Sequence, residues 1–265
     1  MGRLWGPRCA LVGMVHLLPL PGSPGWKGSM AQLEDRALAD AQALKEGGAD
    51  AICIENMGDV PYLNGRVEPE TVAAMAVLTR GVVREAGLPA GVQVLAGANR
   101  EALGVAIAAG ASFLRCEAFA YGHVADEGWI QASAGTLLRA RAASRAEGIK
   151  IWSDVKKKHS AHAATADVDI GELAHGTVFC GADAVIVTGV ATGKPASLEN
   201  VRRVREAVPE TPVVVGSGVE PGQAKALCAL CDAVIVGTWI KQGGDWHNPV
   251  EKERVARLKE AFANA

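Results

Sequence analysis

The sequence predicts an α/β protein, a single (β/α)8 barrel over residues 1–265, and three observations predict it. One short pattern occurs four times: Gly48-Ala-Asp-Ala-Ile-Cys-Ile-Glu55, Gly110-Ala-Ser-Phe-Leu-Arg-Cys-Glu117, Gly181-Ala-Asp-Ala-Val-Ile-Val-Thr188 and Cys231-Asp-Ala-Val-Ile-Val-Gly-Thr238. Each copy is a small-residue turn, a short apolar run and a polar residue. Such a run has the near-continuous apolarity of a strand buried on both faces. Each copy follows an amphipathic stretch, so helix, turn and strand repeat as a parallel α/β protein requires. The length, 265 residues, suits one barrel of this kind, which typically needs about 250.

Taken in order, Ala10–His16 reads as the first strand. Arg3 and Arg8 ahead of Cys9–Val15 give it the outline of a signal peptide. His16 interrupts the apolar run, however, and Leu17–Gly25 is rich in Pro and Gly without a small-x-small cleavage site. Helix one spans Met30–Gly47, and strand two ends at Glu55-Asn56 before a long loop through Asp59, Tyr62 and Arg66. Pro69 at the favoured first helical position introduces helix two, Glu70–Ala86. Strand three is Gly91–Leu95, helix three Arg100–Ala109 and strand four Ser112–Glu117, followed by a loop over Ala120–Gly128 that would hang above the barrel mouth. Helix four is Ala134–Glu147, strand five Ile149–Val155, and a long polar loop leads to helix five, Ile170–Cys180. Strand six is Ala184–Thr188, and helix six runs from Ser197 to just before Pro209. Strand seven is Pro212–Gly216, helix seven Pro221–Leu230, strand eight Ala233–Gly237 and helix eight Pro249–Ala263. Eight units without a linker favour one closed domain over an open doubly wound sheet.

Composition narrows the function. The chain is 49% hydrophobic, ample for a core, and its net charge of −2 gives no general attraction to nucleic acid or anionic membrane. No apolar stretch approaches the ~20 residues of a membrane span. Six cysteines lie mostly in apolar strand or helix runs, as suits reduced thiols in a cytoplasmic protein. Cys228-Ala-Leu-Cys231 has no second pair to complete a zinc site and is read as structural.

In this fold the loops after the strands carry function. His16, Glu55, Asn56, Asn99, Glu117, Asp154, Thr188, Ser217 and Thr238 all fall at or just beyond predicted strand ends. Gly216-Ser217-Gly218 and Gly237-Thr238 are glycine-bearing turns whose backbone N–H groups could converge on a phosphate, with Thr192-Gly193 as a further wall. Tight turns alone would also use these glycines. In Asp154-Val-Lys156-Lys-Lys158-His159, continued strand alternation would send Asp154 and Lys156 to one side, and Lys158 with them. Such a lysine could act as acid or base, form a Schiff base, or simply bind an anion. Glu55 and Glu117 could flank a substrate as acid and base, or share Mg2+. An Arg115–Glu117 ion pair is the plainer alternative for strand four.

These residues, in this order, resemble the BtpA/SgcQ family. The matching stretches are Gly13-Met-Val-His16 with Leu20-Pro-Gly22, Gly48–Asn56, Asp154–His159, Ala184–Thr188 with Thr192-Gly193, Val215–Gly218, and Val236–Thr238 followed by Asn248-Pro249. The resemblance covers nearly the whole chain. It implies a ribulose-phosphate-binding type of TIM barrel and, through the family's name, a role in photosystem I biogenesis. Some family members carry a nucleoside triphosphatase label, to which this sequence adds no Gly-x4-Gly-Lys-Ser/Thr loop. Leu95-Ala-Gly-Ala-Asn99 and Arg115-Cys-Glu117 depart from the pattern of the photosynthetic members at the barrel mouth.

The expected function is a cytoplasmic enzyme acting on a small phosphorylated metabolite by isomerase, epimerase or aldolase-type chemistry. His16, Glu55, Glu117, Asp154, Lys156, Lys158 and His159 would be the catalytic groups. Asn56, Asn99, Thr188, Thr192, Gly193, Gly216, Ser217, Gly218, Gly237 and Thr238 would bind substrate and its phosphate. No cofactor is demanded, with Mg2+ as an option, and a homo-oligomer is compatible with the sequence. The alternative is a non-catalytic assembly factor for photosystem I or membrane biogenesis, for which Trp5, Trp26, Trp129, Trp239 and Trp246 could form a contact surface.

Overall fold

In the computed structural model, which describes residues 9–265, each predicted strand forms. They are β1 (Ala10–His16), β2 (Ala51–Glu55), β3 (Ala90–Gln93), β4 (Phe113–Cys116), β7 (Lys150–Asp154), β9 (Ala184–Val187), β10 (Val213–Val215) and β11 (Ala233–Val236). All eight pair in parallel and close in the order β1-β11-β10-β9-β7-β4-β3-β2. The alternating helices are α1 (Met30–Glu46), α2 (Pro69–Ala86), α3 (Asn99–Ala109), α4 (Ala134–Ala143), α5 (Ile170–Phe179), α6 (Leu198–Ala207), α7 (Ala224–Cys228) and α8 (Lys252–Ala263). Arg3, Trp5 and Arg8 lie outside the described residues. None of the described helices is long and apolar enough to cross a membrane.

Local chemistry sets the element ends. Ser29 accepts a hydrogen bond from Gln32 N at the start of α1, and Asp169 accepts one from Gly171 N at the start of α5. Gly87 and Gly110 end α2 and α3 in the left-handed conformation that glycine adopts without steric cost. α4 stops at Ala143, short of the predicted Glu147, where the chain turns through Arg145 at φ 52°. Helix seven begins as a 3-10 turn over Pro221–Gln223.

The principal departure from the sequence reading lies above the mouth. The segment expected to be a loop after strand four holds β5 (His123–Ala125) and β6 (Gly128–Ile130), and the polar loop after β7 holds β8 (Ser160–Ala161). Together they make an antiparallel sheet in the order β6-β5-β8. Strands of two or three residues have too little periodicity to be read from sequence.

Two apolar layers hold the barrel. Outward side chains of the strands pack against the helices, and inward ones fill the interior with Val12, Met14, Cys53, Phe113, Trp152, Ile186, Val214 and Ile235. Phe113 and Trp152 stack with ring centroids 3.8 Å apart and planes 13° apart. The Phe113 ring occupies the space a side chain at Gly91 would need. Cys231 faces Cys9 across the β11–β1 edge, Sγ to Sγ 3.7 Å, too far for a disulfide. We expect Gly91→Val to cost about 3 kcal/mol of stability, measured by urea denaturation, because the stacked aromatic pair cannot retreat.

Candidate active site

Inward alternation along the strands brings chemistry to one end of the barrel. His16 ends β1, Glu55 ends β2, Gln93 ends β3 and Asp154 ends β7. Arg115 on β4 points inward, and Glu117 follows one residue past the strand end. Arg115 is buried and meets Asp154 in a two-pronged ion pair, Nε to Oδ1 and Nη2 to Oδ2, both 3.2 Å. The expected alternative, an Arg115–Glu117 pair, is replaced by this contact across the β4–β7 neighbours. Burial disfavours the Arg115 cation, but Asp154 and Glu55 outweigh it and hold it protonated.

A cavity opens above Arg115. His16, Glu55 and Lys158 form one wall, and Thr192, Gly193, Gly216, Ser217, Gly218, Gly237 and Thr238 form the other. His16 Nε2 lies 3.5 Å from Glu55 Oε2. Burial raises the Glu55 pKa against the pull of Lys158 and Arg115. Burial, reinforced by Lys241 and Lys158, holds His16 well below its usual value and so neutral. Lys158 is pushed down by burial and then by Arg115, with Glu55 and Asp154 opposing.

The glycine wall is built from behind. No acceptor among the described residues is paired with the backbone N–H groups of Gly218, Gly237 or Thr238. Gly218 sits at φ 61°, and a Cβ there would collide with the backbone of Lys194 and Pro195. After the Thr238–Ile240 turn, the fully buried Lys241 reaches Asp40 of α1 at 3.0 Å, which fixes the turn against a helix. Arg254 Nε donates to Trp239 O at 2.5 Å from the other side.

Several of the residues singled out in the sequence do not face this cavity. Lys156 instead lines an outer groove with Thr188 and Asn200. The alternation that would carry it inward stops with β7 at Asp154. Thr188 Oγ1 donates to Lys156 O at 2.9 Å. Asn56 is consumed by loop structure, donating to Asp59 and accepting from Leu95 N at 2.7 Å. Asn99 donates to Glu117 O and Ser133 Oγ. Ser217 does line the cavity, but its hydroxyl accepts from Gly189 N at 2.6 Å and donates to Lys194 O, tying two loops together. His159 is exposed, with its Nε2 3.0 Å from both Thr192 Oγ1 and Thr192 N.

Glu117 belongs to a neighbouring cluster under the small sheet. Gln93 Nε2 donates to its Oε1 at 3.3 Å, and Lys157 Nζ lies 3.8 Å from Oε2 and 3.1 Å from Glu127. Burial raises Glu117 to about 7, with Lys157 opposing and Asp154 adding to the rise. Glu55 and Glu117 therefore do not converge on one point. Among the described residues no three His, Cys, Asp or Glu are grouped to hold a metal ion. Sequence reasoning missed the Lys157 link and the Arg115 floor. The signal for the second was present, since alternation along β4 turns Arg115 inward.

The barrel and its polar mouth define the class: a closed β/α barrel with an ionisable cavity at the C-terminal ends of its strands. The chain belongs to the BtpA family, whose model matches residues 8–264. It is 44% identical to an uncharacterized mitochondrial protein of Caenorhabditis elegans, over 95% of this chain and 92% of that protein. It is 34% identical to the photosystem I biogenesis protein BtpA of Synechocystis, over 96% of this chain and 88% of that one. In fold it is similar to N-(5'-phosphoribosyl)anthranilate isomerase from Pyrococcus furiosus, with a TM-score of 0.60 at 11% identity over 97% of this chain and 100% of the other.

The Glu117 environment gives a pH signature. A carboxyl whose folded pKa exceeds its unfolded value binds more protons when native, so stability falls as pH rises from the ordinary carboxylate value, 4.5, to about 7. Glu117→Gln removes that fall. Relative to the parent, the variant should gain on the order of 3 kcal/mol between pH 4.5 and pH 8, measured by urea denaturation at both values.

Proposed function

We propose that this barrel is a cytosolic enzyme acting on a small phosphorylated carbonyl compound, by isomerisation, epimerisation or aldol-type cleavage. One observation carries the reading: a single cavity sets backbone amides of glycine turns opposite a His16–Glu55 pair and a lysine. Unpaired N–H groups on converging turns suit a phosphate dianion. The amides of Gly193, Gly218, Gly237 and Thr238 would hold it, and Thr192 would be kept in place by His159.

The opposite wall would do the chemistry. A carboxyl group with a raised pKa can take a proton from carbon next to a carbonyl and return it, since proton transfer works best when donor and acceptor strengths lie near the working pH. Glu55 has that character, with the neutral His16 ring 3.5 Å from its carboxylate. Lys158 would polarise the carbonyl oxygen, and Asp154 would keep Arg115 turned to the cavity floor. The Pyrococcus neighbour, an isomerase named for a phosphoribosyl compound, supports the reading only through the shared barrel.

A second reading, a non-catalytic assembly factor, draws on the name of the Synechocystis relative and one surface feature. Val60, Leu63, Val124 and Trp129 are 44–52% exposed. Asn64 joins their two loops by donating to Glu127 O and Trp129 O. The other described tryptophans expected on that surface are dispersed: Trp26 and Trp239 pack on the core, and Trp246 stacks on His247.

Thermal melting against inorganic phosphate and a panel of sugar phosphates tests the first reading. Ligand at ~100 times its dissociation constant should add about 2.7 kcal/mol, a readable shift. Thr238→Asp, which sets a carboxylate among the amides, should abolish the shift while leaving the unliganded melting temperature near that of the parent. Glu55→Gln should lower kcat on the matching substrate by about 10²–10⁴-fold. No shift with any phosphate compound would overturn the reading and favour a contact surface at Trp129.

A further inference from the structure

Three consecutive lysines meet three different fates. Lys156 lines the outer groove. Lys157 is buried and held by Glu127 and Glu117 at 3.1 and 3.8 Å. Lys158 alone of the three lines the central cavity, and among the described residues no carboxylate oxygen lies within salt-bridge distance of its ammonium. Asp154, the nearest acid in sequence, is occupied on both oxygens by Arg115.

The backbone around Lys158 is pinned on both sides. Thr188 Oγ1 donates to Lys156 O, and His162 Nε2 lies 2.9 Å from Lys157 O. His159 N donates to Val190 O at 3.1 Å, and its ring holds Thr192. His159 itself adopts φ 56°, a left-handed conformation that turns the chain away immediately after Lys158. The side chain is thus presented to the cavity by a fixed loop rather than tethered by an ion pair. A lysine in that position shares its space with the Arg115 guanidinium, and two cations in one partly dry cavity favour the loss of a proton from the weaker one. Burial acts in the same direction.

We propose that Lys158 is a covalent nucleophile that forms an imine with the carbonyl carbon of a small phosphorylated aldehyde or ketone. The inference rests on the phosphorylated-carbonyl reading above and selects its aldol-type branch. The neutral amine adds to the carbonyl, so a C–N bond forms and the C=O π pair becomes a hydroxyl. The proton leaving nitrogen reaches that oxygen through Glu55. The carbinolamine then loses the hydroxyl with one further proton as water, leaving C=N. Hydrolysis adds one water back across C=N and releases the free amine and a carbonyl compound, so no oxidant or reductant is needed. The protonated imine draws electrons from the adjacent carbon: as the Glu55 carboxylate takes the β-hydroxyl proton, the Cα–Cβ bond breaks to an aldehyde and an enamine, and the enamine carbon takes that proton back before hydrolysis.

The test uses the full chain with glycolaldehyde phosphate and dihydroxyacetone phosphate, each reduced with sodium borohydride and mapped by peptide mass spectrometry. The expected result is a stable adduct on Lys158, suppressed by inorganic phosphate, with Lys156 and Lys157 unlabelled. Lys158→Arg keeps the cation and should lose the adduct while retaining the melting shift with inorganic phosphate. Absence of an adduct, or labelling spread evenly over the three lysines, overturns the proposal. If the phosphate shift persists in that case, the imine alone falls. If the shift is missing too, the phosphorylated-carbonyl reading falls with it.

Discussion

The charge arrangement at the barrel mouth depends on the buried Arg115–Asp154 pair. Its members come from neighbouring strands, β4 and β7, and almost no solvent reaches them. Removing either partner would leave an uncompensated charge in the interior, at a cost of about 3–5 kcal/mol. The pair also decides what the other ionisable groups can do. Arg115 takes Asp154, and Lys157 takes Glu127 with Glu117 alongside. Glu55 is left with His16, and Lys158 is left without a contact partner among the described carboxylates. Four acids and three cations are thereby sorted into two structural links and one open set, and the open set is the one that faces the cavity.

Packing below makes that sorting durable. The Phe113–Trp152 stack lies one inward position beneath Arg115 and Asp154 on the same two strands. Gly91 on β3 yields the room for the ring. The aromatic plug keeps water from reaching the ion pair from below, which strengthens the electrostatic coupling above it. The small antiparallel sheet acts on the other side. Glu127 sits in the β5–β6 turn, so its bond to Lys157 fastens this cap to the loop after β7 and shelters Glu117. The raised pKa of Glu117 is a consequence of that shelter, not of any single neighbour.

Much of this was legible in the residues. The four repeated turn–strand units gave the barrel because a strand buried on both faces must be nearly all apolar, and little else in a soluble chain is. Polar residues at the ends of such runs then had to mark the mouth, as His16, Glu55 and Asp154 do. What could not be read was orientation beyond the last paired residue. Period-two alternation holds only while the strand lasts, so Lys156, two past Asp154, turns outward and Lys158 comes in. Asn56, Asn99 and Ser217 stood at strand ends for another reason. Each satisfies loop backbone groups that the end of a strand leaves unpaired, and sequence does not distinguish a polar side chain spent on the fold from one held for a ligand.

Glycine placement joins the two walls of the cavity. A Cβ at Gly237 would stand 2.8 Å from His16 Cε1 and 2.9 Å from Nε2. The absence of a side chain in the turn after β11 is therefore what lets the imidazole lie toward Glu55 on the far side of β1. The same turn exposes backbone N–H groups to the cavity, and Lys241 and Arg254 brace it from behind. One glycine thus serves both the amide wall and the acid–base wall, because β11 and β1 are the strands at which the barrel closes. Closure brings the turn after β11 against His16 at the end of β1, and a larger residue at that seam would disturb both walls at once.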